Sequence, residues 1–414
     1  MANTSRLSPE KPVRVALVYE HFNARGSLER GRLLLGRGLV ALGVEVHSYS
    51  DPQTTIAEPG ITPHAVMPVI RGSSRVGRAL QYASFARRAT KTLSADRHAY
   101  DIIDVAGTTA WEHDVIRVHA VQKRELERWP SRGGQTFRAA ALRARLTPLT
   151  HPRIGVARLI EDRQFGSGRF ARVIAVTDEV KQDLIDVYEL DEAKIIVIPP
   201  AIDTEKFRTA KRGTLRPELG LEGEPLVLFL GHDFKRKGLA DAIDAVASLS
   251  SVHLVVVGDG PRKAFVQQAA RLGVSGRVHF RRGTSKPETV FADADLLLVP
   301  THEDVWGNTL IEGLASGVPV VTTTVAGAAG IITEADAGVV VPPASPRALR
   351  EALEFVLGNH TKRKQLGSTA KEIASRFGIN AHAARVLDVY EDILRKRTSR
   401  PASASGLGTF PGRR

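Results

Sequence analysis

Two short stretches combine charged side chains with turn chemistry that lets a backbone approach a ligand. The first, residues 299–330, reads VPTHEDVWGNTLIEGLASGVPVVTTTVAGAAG. An apolar strand over 296–299 closes at Pro300, and a polar loop over 302–306 follows. Gly307, Asn308 and Thr309 then supply turn and cap residues for a helix over 310–316. Gly317 ends that helix, Pro319 sits just past it, and 318–323 reads as the next strand. This βαβ unit presents a helix start that favours an anion, with an acid, Glu312, one turn inside it. Two readings fit: a phosphate at the helix start with a hydroxylated group on the carboxylate, or an ordinary crossover helix whose Glu faces solvent. The second stretch, GHDFKRKG at 231–238, carries Lys235, Arg236 and Lys237 directly before another helix. Fixed N–H donors and cations together could hold a diphosphate without a metal. Were a sugar attached, breaking its anomeric bond would develop negative charge on the phosphate, which Arg236 and Lys237 could stabilise. Glu312 would accept hydrogen bonds from ribose hydroxyls, and the acidic pair Glu303-Asp304 would lie nearer the sugar.

The elements that must position these residues alternate strand and helix along the chain. Residues 13–19 (VRVALVY) form a continuous apolar strand, as expected when both faces are covered. A loop over 21–27 ends in Gly26-Ser27, a helix spans 28–42, and a second strand spans 44–50. No complete G-x-G-x-x-G occurs there. Further strands are expected at 65–70, 100–105 and 114–119, with a basic helical segment over 71–95. His119, at a strand's carboxyl end, faces the crevice where open α/β sheets bind ligands, or is a hydrogen-bonded structural imidazole. After strands at 173–176 and 194–198, residues 203–219 read as an irregular interdomain linker. A second α/β series begins at 226–230 and ends in helices over 346–357, 362–376 and 381–396. The expected architecture is α/β, two doubly wound Rossmann-like domains facing a cleft. Residues 12–205 form the first and 206–380 the second. A helix over 381–397 packs back toward the first, and 398–414 form a disordered tail.

At 414 residues the chain exceeds one ordinary core. With no cysteine it excludes disulfides and thiolate chemistry. There is no run long and apolar enough to span a bilayer and no apolar signal core, so a cytoplasmic placement is expected. The net charge of +13 points to anionic partners. Seven arginines and no acid fall within 128–158, and 135–146 could form an amphipathic basic helix. That run fits a helix on an anionic membrane surface or a solvated basic face. Nucleic acid is disfavoured because few aromatics are available to stack bases. No metal site is expected: Asp293-Ala294-Asp295 reads as capping and turn chemistry, and no Walker loop, nucleophile elbow or HExxH occurs.

The order and spacing resemble glycosyltransferases of the GT-B fold, family 4, the retaining group that uses nucleotide sugars. The matching features are the Gly26 loop before a helix, His119, VIAVTDEVKQDLIDVY before IIVIPPAID, GHDFKRKG and ADADLLLVP. The most specific is the acid-x7-acid segment ahead of ASGVPVV. The resemblance implies that Glu312 binds the ribose and that Trp306, Gly307, Asn308 and Thr309 present loop amides to the sugar and diphosphate. It implies that Arg236 and Lys237 hold the diphosphate, Gly26 and Ser27 approach it, and His119 sits at the reacting sugar. It further implies retention, no cofactor and no catalytic metal. Three positions depart from the pattern. Asp304 stands where the first acid is normally Glu, with Glu303 one residue early. Gly26-Ser27 replaces a Gly-Gly pair. His232 stands where an arginine is common, so Arg236 would take its role. GHDFKRKG and the TD-x-V-K-x-D-L segment are similar to bacterial lipopolysaccharide-core glucosyltransferases. The implied function moves a hexose from a UDP-sugar or GDP-sugar donor to a glycolipid or cell-envelope glycan. UDP-glucose comes first and GDP-mannose second, with the enzyme peripheral on the inner face of the membrane. Two other classes share these features: a nucleotide-sugar epimerase of related fold, and a binding module for anionic lipid or nucleic acid.

Overall fold

The computed structural model describes residues 11–24, 26–128 and 151–399. Seven strands build the first domain: β1 (Arg14–Val18), β2 (Glu45–Ser50), β3 (Ile61–Ala65), β4 (Ile102–Ala106), β5 (Val115–Val118), β6 (Arg172–Ala175) and β7 (Ile195–Val197). They pair in parallel in the order β3-β2-β1-β4-β5-β6-β7, with Val15 registered between Val46 and Ile102. Helices α1 (Ser27–Ala41), α2 (Arg75–Ala95), α3 (Gln122–Arg128), α4 (Pro152–Gly166) and α5 (Asp178–Tyr188) belong to this domain. The apolar runs in β1, β4 and β5 are buried throughout or nearly so because both sheet faces are covered.

The second domain has six parallel strands: β8 (Leu226–Leu230), β9 (His253–Val257), β10 (Val278–Arg281), β11 (Leu296–Val299), β12 (Val320–Thr323) and β13 (Gly338–Val341). Their order is β10-β9-β8-β11-β12-β13. Its helices are α6 (Thr204–Arg208), α7 (Leu215–Leu219), α8 (Leu239–Ala247), α9 (Lys263–Arg271), α10 (Pro287–Asp293), α11 (Asn308–Ser316), α12 (Ala329–Glu334), α13 (Pro346–Gly358) and α14 (His360–Ala374). In each sheet the strand order reverses once, between β1 and β4 and between β8 and β11. Ligand crevices of doubly wound folds open at the carboxyl ends of such strands.

The last helix, α15 (Ile379–Thr398), returns to the first domain and packs on α1. Val386, Val389, Tyr390 and Ile393 share a buried cluster with Leu33, Leu35 and Leu39. The chain therefore crosses between domains twice. The two crossings touch, with Ile202 paired to Gly378 and its N–H donating to the Phe377 carbonyl at 2.8 Å.

Three expectations are corrected. The strand expected at 65–70 is instead Ile61–Ala65. Met67 and Val69 are exposed and Pro68 has no N–H to donate, so the ladder stops there although Val66 and Pro68 are buried. The stretch 203–219 is not an irregular connector, since it contains α6 and α7. Phe207 is buried with its ring 5.7 Å from that of Phe291. Asp293 accepts from the Gly213 and Leu215 N–H groups at 2.9 Å each, which is the capping role read for it. Finally, α12 and β13 were not anticipated; GVVV is only four residues long and carries no period to read. The amphipathic helix expected at 135–146 lies outside the described residues, as do residues 400–414 of the expected tail.

Candidate functional site

The second-domain half of the site is assembled by the loops after β8 and β11. Gly238 sits at φ +75° at the start of α8, where a Cβ would meet the Pro300 carbonyl oxygen at 1.9 Å, so only glycine lets these loops touch. That contact brings the Lys/Arg loop against the acidic loop. Lys237, nearly buried, forms an ion pair with Asp304. Arg236 donates to the Glu303 carbonyl at 2.6 Å and lies 3.8 Å from Asp304. Both expected cations are thus in one cluster with the Asp304 carboxylate and the Glu303 main chain. His232 is exposed, 3.9 Å from Asp259, and stands apart from it.

Gly307 caps α11 at φ +90°, and no side chain caps the helix's first turn. Asn308 and Thr309 are half-buried there. The Trp306 indole is buried with its ring 5.4 Å from Phe377, so at the loop this residue offers its backbone, the part given the binding role. Glu312 is 3 % exposed, which excludes the solvent-facing reading of that acid. Burial pushes its carboxyl up; Arg30, Lys206 and Lys237 oppose this without cancelling it.

The first domain answers with the start of α1. Gly26 caps that helix in an ordinary extended conformation, φ −103°. Ser27 accepts a hydrogen bond from the Asn308 amide at 2.5 Å, and Arg30 donates to Glu312 Oε1 at 2.6 Å. The starts of α1 and α11 therefore meet across the domains. Arg30 was not anticipated. It sits one turn past Gly26-Ser27 as Glu312 sits one turn past Gly307, and that parallel was the available signal.

His119 lies just past β5, on the wall of a 280 Å³ cavity shared with Tyr19, Tyr82, Gly107, Arg153 and Glu161. A neighbouring 510 Å³ cleft runs between the domains from Ala120 and Val121 to Glu303 and Asp304, and Ala120 borders both. Burial, together with the Arg117 and Arg32 cations, pushes the His119 imidazole down to about 3, so it is neutral at physiological pH. Those cations converge on Asp104, a fully buried residue of β4. Arg32 donates to it at 2.6 Å, Arg117 at 3.2 Å and the Tyr390 hydroxyl at 2.6 Å. Burial alone would raise its carboxyl, but Arg32 and Arg117 outweigh that and hold it at about 2. Among the described residues no group of three or more metal-ligating side chains is arranged to hold an ion.

Glu161 was also not anticipated. It accepts from the Gln122 N–H through both oxygens, at 3.1 and 3.0 Å, and from the Tyr188 hydroxyl at 2.9 Å. Burial pushes it up to about 7. Because the folded value lies above the unfolded one, the folded state binds the extra proton, and this group's contribution to stability falls as pH rises from about 4.5 to 7. Glu161→Gln keeps an acceptor for Gln122 and is expected to remove about 2–3 kcal/mol of that loss. Unfolding of both proteins at pH 5 and pH 8 reads it; an unchanged pH slope in the variant would refute it.

Two family models match the chain: Glycosyltransferase Family 4 over residues 28–206 and Glycosyl transferases group 1 over residues 211–373. The lipopolysaccharide glucosyltransferase WaaG of Escherichia coli K12 is 32% identical over 241 residues, 55% of this chain and 64% of that protein. A D-inositol 3-phosphate glycosyltransferase of Nocardia farcinica is 31% identical over 240 residues, 54% of this chain and 53% of that protein. Both alignments thus span less than two thirds of the curated relative. The crystal structure of WaaG superposes with a TM-score of 0.71 at 25% identity, covering 91% of this chain and 99% of that one. With its 7-stranded and 6-stranded parallel sheets, the chain belongs to the GT-B glycosyltransferases, a family 4 domain followed by a group 1 domain.

Proposed function

We propose that this protein transfers a hexose, with retention at the anomeric carbon and without a metal, from a nucleoside diphosphate sugar to a lipid-linked or cell-envelope glycan. UDP-glucose is the first donor and GDP-mannose the second. The observation that carries the reading is Glu312, a buried acid one turn inside α11, beside the Arg236–Lys237 cluster and the uncapped helix start. A ribose diol on Glu312 puts the diphosphate at the α11 amides and the two cations, where electrostatic stabilisation acts on the charge that develops as the sugar leaves. The acceptor's proton goes to a donor phosphate oxygen. Neutral His119 bonds a sugar hydroxyl, and Glu303 and Asp304 bind others. The similarity to WaaG supports glucose and an envelope acceptor.

A panel of nucleotide sugars scored by thermal midpoint is the direct test, since a bound donor stabilises the folded state. UDP-glucose is expected to give the largest shift. Lys237→Ala should lower transfer about 10²–10³-fold, as loss of one preorganised charge-stabilising donor does elsewhere. Melting unmoved by every nucleotide sugar, or near-native turnover by the variant, would reject the site.

A further inference from the structure

We infer that Arg30 is an internal competitor of the donor: it occupies the Glu312 carboxylate when the donor site is empty and must release it for a ribose to bind. The inference rests on the donor reading above and adds a contact that reading does not require.

Arg30 Nη2 stands 2.6 Å from Glu312 Oε1, a charge-assisted bond joining residues 282 positions apart and on different domains. Glu312 is 3 % exposed, so it must keep a partner. Arg30, with 32% of its side chain exposed, can be released to water at far smaller cost. The other two cations that act on Glu312 are occupied, Lys206 with Glu288 at 3.1 Å and Lys237 with Asp304. Beside the pair, the Asn308 amide is bonded to Ser27. The contact brings together two helix starts, ends that carry like partial charge and repel. A negative side chain from one helix and a positive one from the other hold them against that repulsion. A diol on Glu312 replaces the arginine's hydrogen bond, so the carboxylate is never left bare. The same exchange unfastens α1 from α11. Donor occupancy and this contact between the domains therefore exclude one another.

Calorimetric titration of wild type, Arg30→Gln and Arg30→Lys with uridine, UDP, guanosine and GDP tests this. All three proteins are titrated at one pH. For whichever diphosphate wild type binds, Arg30→Gln is expected to bind it and its nucleoside about tenfold tighter or more, because a charged competing bond is gone. Arg30→Lys keeps the charge but loses the guanidinium fork and falls between the two, so it carries the test if the glutamine variant does not fold. Equal or weaker binding by the variants overturns the inference; weaker UDP with unchanged uridine would make Arg30 a ligand of the diphosphate instead. If no diphosphate binds wild type or either variant, the donor reading itself falls and takes this inference with it.

Discussion

Glu312→Ala is expected to lower sugar transfer at least about a hundredfold while the fold persists. A buried carboxylate that accepts from two ribose hydroxyls makes two charged hydrogen bonds, each about 1.5–3 kcal/mol, and every 1.4 kcal/mol is about tenfold. The loss should appear mainly in the donor KM, with a smaller fall in kcat if the ribose also aligns the sugar. Stability should change little, because the substitution removes a buried charge and leaves only the partly exposed Arg30 without its partner. Circular dichroism and thermal melting establish the fold, and initial rates across donor concentrations establish the rest. Turnover within about threefold of wild type would show that no ribose sits on this residue.

Asp104→Ala should be the most damaging single change to the first domain. It leaves the Arg32 and Arg117 guanidiniums, 2 and 4 % exposed, facing one another in the interior without their counter-ion. It also strips the Tyr390 hydroxyl of its acceptor. Breaking a buried ion pair from one side costs about 3–5 kcal/mol. The two domains need not unfold together, so the appropriate measurement is hydrogen exchange of the β4 and β5 amides rather than one global transition. Exchange there should accelerate more than about a hundredfold. An acceleration below about tenfold would mean that solvent reaches the cluster.

Much of the frame was legible because buried parallel strands announce themselves. VRVALVY, apart from Arg14, and LVLFL are apolar and close at loops, as their burial in β1 and β8 requires. The α11 unit could be read to within a residue or two because Gly307 and Gly317 bracket it, both at positive φ. Short or exposed elements escaped. β13 is too brief to show a period, and Met67 and Val69 have strand-like composition but face solvent. Of the site, Arg236, Lys237, Glu303 and Asp304 could each be picked out because two loops of a single domain carry them, but their pairing with one another is seen only in the structure. Arg30 and Tyr390 were not. Each acts across a sequence gap of more than 280 residues, with 282 separating Arg30 from Glu312 and 286 separating Tyr390 from Asp104. No local pattern encodes such a partnership; only the returning chain creates it.

That return of α15 to the first domain bears on how the protein is made. Synthesis proceeds from the amino end, and domains generally begin to fold as they emerge. Here the first domain leaves the ribosome with α1 uncovered and Asp104 lacking its tyrosine, because the segment that completes both is translated after the whole second domain. Until then the apolar face of α1, with Leu33, Leu35 and Leu39, is open to chaperones or to other nascent chains. A ribosome stalled before Ile379 would therefore display a first domain with its sheet in place and one helical face unsealed, and the twenty residues of α15 act as the closing step of its assembly.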